Sequence, residues 1–199
     1  MVRGVQETAR SAGHSLILCN SNEDVEEERR HLRMLLSRRV DGVLLACTEP
    51  LTAMDRSIRE RCPLGLVDRI PAQGFKGEAV VADNAGAAYD ATRHLIGLGH
   101  ELIAIITGRL VLSPGYERAE GYRKAMQEAH LPLRGEYFKH GSFRWEMGYR
   151  YALELLGEVT PLHGHPLRKL CYDRRLAEGA RGFKSPMSRG GQCGGLRRF

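Results

Sequence analysis

The sequence predicts an open α/β domain built on a doubly wound parallel sheet, and three observations predict it. From Val80 to Gly108 the chain reads as a strand end, a capped helix, a glycine stop and a buried strand, which is one β-α-β unit. Ahead of it, apolar strand-like runs alternate with helical patterns across short connections, as right-handed crossovers require. Leu102–Ile106 is apolar without alternation, which suits a strand covered on both faces. A chain of 199 residues is long enough for one large or two small domains and a sizeable core.

Met1–Gly13 has a helical pattern with Val2, Val5 and Ala9 on one face and Gly13 as its stop. A domain of this kind should open with a strand, and none precedes this helix, so Met1 reads as an internal start or a truncation point. Ser15–Cys19 predicts a short buried strand, and Asn20–Asp24 a polar turn that caps a helix over Val25–Arg39. That helix turns Leu32, Leu35 and Leu36 inward, and its Glu26–Arg30 charge run reads as a solvated face. Val43–Ala46 predicts a strand, Leu51–Arg61 a helix, and Pro63–Val67 a strand ending in Asp68-Arg69. Asp83 or Asn84 can cap the next helix, with Ala88, Ala91, Leu95 and Leu98 as its apolar face and Gly99 at its C′ position. Pro114 and Gly115 read as breakers in a loop before a helix at Glu117–Ala129 whose inner face is Tyr122, Ala125, Met126 and Ala129. Glu136–His140 follows as a strand and Trp145–Leu156 as a helix.

The net charge of +6 would ordinarily suggest a nucleic-acid or membrane partner, but its distribution removes that reading. Residues 160–199 hold 9 Lys+Arg against 2 Asp+Glu, a balance of +7, which leaves −1 for residues 1–159. The tail is rich in Gly and Arg and lacks a sustained period, a composition of disordered or poorly packed chain. Cys19, Cys47, Cys62, Cys171 and Cys193 form no metal-ligand spacing and read as reduced thiols of a cytoplasmic protein. His163 and His165 with Cys171 have zinc-binding residue types but no fourth partner at regular spacing. No apolar run reaches the roughly 18 residues of a membrane span. Gly97-Leu98-Gly99 ends a helix and so is no dinucleotide fingerprint. Nothing in the sequence points to an enzyme, a cofactor or a metal.

One block carries a specific resemblance. Asp83, Asn84, Gly86, Ala87, Ala91, Thr92, His94-Leu95-Ile96, Leu98-Gly99-His100, Ile103-Ala104 and Gly108 resemble the effector-domain segment of the lactose/galactose repressor (LacI/GalR-type) family of transcription regulators. The resemblance covers about residues 1–159. It implies a type I periplasmic-binding-protein-like fold with an incomplete second subdomain, divided as 1–108, 109–159 and an anomalous tail at 160–199. The loop after Gly108 would then be the crossing between subdomains. The resemblance further implies a small-molecule effector, sugar or purine-like, bound between the subdomains of a cytoplasmic homodimer. Operator DNA would be gripped by a helix-turn-helix headpiece absent from this chain. The alternative is an exported periplasmic sugar-binding protein of the same fold.

Arg118 matches the arginine of the family's R-x-x-G-aromatic motif, here Arg118-Ala119-Glu120-Gly121-Tyr122, which the resemblance assigns to gripping the effector. A surface pair with Glu117 or Glu120 is its other reading. Phe143, in Gly141-Ser142-Phe143, resembles the family's effector-stacking aromatic, or else caps the sheet. Asp68, at a strand's carboxyl end, can accept from ligand hydroxyls or hold a turn.

The tail is also compatible with a frameshifted copy of the family's own continuation. With synonymous codons chosen for Ser188–Arg198, the frame one base on reads Pro-Glu-Glu-Val-Ser-Val-Val-Gly-Phe-Asp-Asp. Arginine CGN and glycine GGN codons become acidic and valine codons when shifted, which would account for the tail's charge.

Overall fold

The computed structural model describes residues 1–50, 58, 60–72, 76–157 and the strand at 170–172. Its elements are α1 (Val2–Ser11), α2 (Val25–Ser37), β1 (Val43–Leu45), β2 (Leu64–Val67) and β3 (Ala79–Val80), then α3 (Asn84–Gly97) and β4 (Ala104–Thr107). They continue with α4 (Ser113–Glu128), β5 (Phe138–His140), α5 (Trp145–Gly157) and β6 (Leu170–Tyr172). The strands form two parallel sheets, β1-β2-β3 and β5-β4-β6. Leu66 faces Ala79 in the first, and Ile105 lies between Phe138 and Cys171 in the second.

The α/β class and parallel pairing follow the sequence reading. The position of β4 does not. It lies in the second sheet, so the chain changes sheet between Val80 and Ala104, one β-α unit before the expected division at 108/109. A crossover helix is equally long whether its strands share a sheet or not, so spacing alone could not tell. The segment after Gly108 still touches both halves: Leu112 is buried in the first core, while α4 packs into the second.

Each sheet has its own core. Leu32, Val43, Leu45, Ile58, Leu66 and Leu112 form the first. β4 is buried on both faces as expected, with Ile103, Ile105, Leu95, Tyr122 and Met126 on one side and Ala104, Ile106 and Leu155 on the other. Tyr122 Oη donates to Ile103 O at 2.8 Å, which satisfies its buried hydroxyl.

Local signals set most boundaries. Asp24 caps α2 by accepting from Glu26 N and Glu27 N. Asp83 caps α3 by accepting from Gly86 N at 2.8 Å, which leaves Asn84 as the first helical residue. α4 starts at Ser113, earlier than expected, and takes Pro114 into its first turn, where a missing N–H costs no bond. Gly115 is required there, because a Cβ would lie 2.2 Å from Arg109 O.

Three further expectations need correction. Ser15–Cys19 forms no strand: Leu16, Ile17 and Leu18 are exposed, and among the described residues the edge strand β1 pairs on its β2 side alone. The inner face of α3 is rotated, burying Asn84, Thr92 and Leu95 and exposing Ala91 and Leu98. Thr92 is tolerated inside because Oγ1 donates to Ala88 O at 2.8 Å. Within the tail, Leu170–Tyr172 pairs with β4, although the composition there predicted no structure. The expected Leu51–Arg61 helix lies mostly outside the described residues, as does the rest of the tail.

Candidate functional site

The turns at the carboxyl ends of the strands converge between the two sheets. After β2, Asp68 takes φ +67°, a left-handed conformation that aspartate tolerates better than most residues, and its N donates to Val80 O at 2.8 Å. This turn directs Arg69 inward. The arginine is 8% exposed; its Nη1 lies 2.6 Å from Glu23 Oε1, and its Nε lies 3.7 Å from Asp68 Oδ2. Glu23, in the turn before α2, also has positive φ (+62°). Among the described residues, the buried atoms Glu23 Oε2 and Arg69 Nε have no hydrogen-bond partner.

Phe143 comes from the turn after β5 and packs on the first core. Its ring lies 4.3 Å below the Arg69 guanidinium, a cation–π contact, and against Gly108 on β4's exit. A Cβ at Gly108 would lie 2.0 Å from Phe143 Cζ, so this close approach depends on glycine. The neighbouring Arg144 Nη2 donates to Asn22 O at 2.9 Å. Arg109, beside Gly108, reaches Glu49 Oε1 at 3.3 Å. Side chains of the second half thus close on turns of the first.

Arg118 sits elsewhere. Its Nε donates to Asn84 Oδ1 at 3.1 Å, while Asn84 Nδ2 donates to Glu117 Oε2 at 3.2 Å and to Ala82 O at 3.1 Å. The head of α3 therefore fixes the second turn of α4. Of the three expected site residues, Asp68 and Phe143 meet around Arg69, and Arg118 is anchored at the buried Asn84. Sequence reasoning did not single out Arg69, Glu23 or Asn84 as site-forming. The Val67-Asp68-Arg69 run was the available signal for the first, and the Asp83-Asn84 pair for the last.

A cavity of about 1370 Å³ runs from α1 to Glu23, Arg69 and Phe143. Its inner end offers an aromatic ring, a guanidinium and a carboxylate, the equipment for binding a small polar molecule. Among the described residues, no three His, Cys, Asp or Glu side chains are grouped to hold a metal ion. Nor is any described helix long and apolar enough to cross a membrane.

Two parallel sheets whose strand-end turns meet around Arg69 and Phe143, beside a lined cavity, define a two-lobed domain of the ligand-binding kind. The chain belongs to the family described as periplasmic binding proteins and sugar binding domain of the LacI family, which matches residues 1–162. It is similar to the HTH-type transcriptional repressor PurR of Actinobacillus pleuropneumoniae serotype 5b, 34% identical over 181 residues, covering 90% of this chain and 52% of the repressor. The PurR repressor of Yersinia pestis (strain Pestoides F) is 33% identical over 183 residues, with the same coverage. The chain thus spans about half the length of these relatives.

Among solved structures, the transcription regulator CcpA of Lactococcus lactis superposes with a TM-score of 0.70 at 32% identity, covering 79% of this chain and 58% of CcpA. The Cra transcriptional dual regulator of Pseudomonas putida, solved with fructose 1-phosphate, shares the fold with a TM-score of 0.76 at 24% identity, covering 91% and 66%.

Proposed function

We propose that this chain is the ligand-sensing part of a bacterial transcription regulator, which binds a sugar or related metabolite between its lobes and so controls operator binding. The observation that carries the reading is the cavity that ends at Glu23, Arg69 and Phe143, in a chain about a third identical to HTH-type repressors over 181 residues. Glu23 Oε2 supplies an unused acceptor and Arg69 Nε an unused donor beside an aromatic ring. Ligand hydroxyls both donate and accept, so a hydroxylated ring suits this pair. Asp68, Phe143 and Arg118 are proposed as ligand contacts. A ligand preferring the closed lobes would shift the equilibrium by its differential affinity. The complete regulator is proposed to be a cytoplasmic homodimer, with DNA contacts made outside this domain. Similarity to repressors favours this reading over an exported sugar-binding protein.

Calorimetry against a panel of monosaccharides, sugar phosphates and purine bases tests it. One panel member should bind, and Arg118→Ala should weaken it by about tenfold to a hundredfold, from about 1.5–3 kcal/mol of charge-assisted hydrogen bonding. Silence across the panel would remove the sensing role. Unchanged affinity in the variant would remove Arg118 from the site.

A further inference from the structure

Arg69, Arg109, Arg118 and Arg144 bring positive charge to the proposed site and its approaches, and each already has an oxygen partner. Arg69 Nη1 lies 2.6 Å from Glu23 Oε1, with Asp68 Oδ2 3.7 Å from its Nε. Arg109 Nη1 lies 3.3 Å from Glu49 Oε1, and Arg144 Nη2 donates to Asn22 O at 2.9 Å. Arg118 Nε donates to Asn84 Oδ1, while Glu117 Oε2 accepts from the amide of the same asparagine. Glu23, Asp68, Glu49 and Glu117 thus set four carboxylates against these four guanidiniums. Glu28, buried with Oε2 accepting from Thr48 N at 2.8 Å, adds a fifth carboxylate.

Helix heads, the other source of positive potential, are met by acids in the same way. Asp24 accepts from Glu26 N and Glu27 N at the head of α2, whose first turn carries Glu26, Glu27 and Glu28. Asp83 accepts from Gly86 N at the head of α3. α5 opens just beyond Phe143 with Glu146 in its first turn. A phosphate entering here meets no excess of positive charge and acidic helix heads. Hydroxyls can donate to the carboxylates and accept from the guanidiniums without disturbing the balance.

We infer, given the ligand-sensing role proposed above, that the site takes an uncharged sugar and rejects its phosphorylated form. Discrimination comes from placing a further anion beside Glu23 and Asp68, whose partly buried surroundings screen charge poorly.

Calorimetry on the full chain with ribose, glucose and fructose, each beside its own monophosphate, tests this. One free sugar should bind with an affinity that is flat against salt, and its monophosphate should bind about a hundredfold more weakly. Glu23→Gln removes one carboxylate and leaves Arg69 charged, so the gap within that pair should shrink about tenfold. A cooperative urea transition shows that the variant is folded; if it is not, the pair measured on the unaltered chain decides. A monophosphate binding within about tenfold of its free sugar, or more tightly, would overturn the inference and leave the sensing role standing. An unchanged gap in folded Glu23→Gln would also overturn it, since the carboxylate would not be the cause. Silence from all three pairs would remove the inference and the sensing role together.

Discussion

Arg69 holds two turns and an aromatic ring together with a charge almost withdrawn from water. Its partner Glu23 is equally committed, at 2.6 Å. Removing one member of such a pair strands the other, a cost of about 3–5 kcal/mol, whereas replacing both by apolar groups is nearly neutral. Glu23→Ala should therefore destabilise the chain by that amount in urea unfolding, and the double change Glu23→Leu with Arg69→Met should recover most of it. A cycle showing additive losses would mean the pair is not coupled. Asp83 is the second residue to test: Asp83→Ala removes the cap of α3 and should cost about 1 kcal/mol. At this scale the sequence was legible where a residue works through its own neighbours, as Asp24 and Asp83 do. It was silent on Arg69, whose partners Glu23 and Phe143 lie 46 and 74 positions away in the chain.

α3 and α4 pack closely, and glycine makes it possible. A Cβ at Gly121 would lie 2.2 Å from Ala85 O and 2.9 Å from Tyr89 N, backbone atoms that cannot step aside. Gly121→Ala should thus cost about 1–3 kcal/mol by overpacking, even though alanine is the better helix former. An unchanged unfolding midpoint would show that the helices are free to separate. The same helix pair carries a pH signature. Tyr89 Oη donates to Glu128 Oε2 at 2.5 Å, and this bond, then the exposed site's small desolvation and the Glu128 charge, raise the phenol above its usual 10.0. A raised pKa means the folded state holds the proton more tightly. The contribution is thus complete below the unfolded pKa and is lost as pH rises through the folded value. Phenolate absorbance should show one tyrosine titrating late, and Tyr89→Phe should delete it. Helices were readable from their period, but the face of α3 was not, since Asn84 and Thr92 hide polar groups in bonds to the main chain or to α4. Ser15–Cys19 failed for the opposite reason: an apolar run becomes a strand only when it pairs, and these residues line the same cavity as β1 without pairing to it.

For the whole molecule, charge and topology give separate expectations. The excess of 7 positive charges in residues 160–199 should let the chain bind DNA weakly, without sequence preference, and with affinity falling steeply as salt rises. A shift assay showing one preferred sequence at physiological salt would contradict this. The nucleotides between the codons for Leu156 and Phe199 test the frameshift reading, which requires an open frame one base on encoding Val-Gly-Phe-Asp-Asp. The α/β class was legible throughout; the sheet to which β4 belongs was not, because pairing partners leave no mark in a run as uniform as Leu102–Ile106. One last feature joins the halves. Pro71 bridges Leu112, Ser113 N donates to Ile70 O at 2.8 Å, and Ile70 N donates back to Ser113 Oγ at 3.2 Å. Leu112 is fully buried in the first core, one residue before α4 begins in the second. Melting either lobe therefore pulls on the anchor of the other, and the two should unfold as a single cooperative unit, with one calorimetric transition whose heat matches its sharpness.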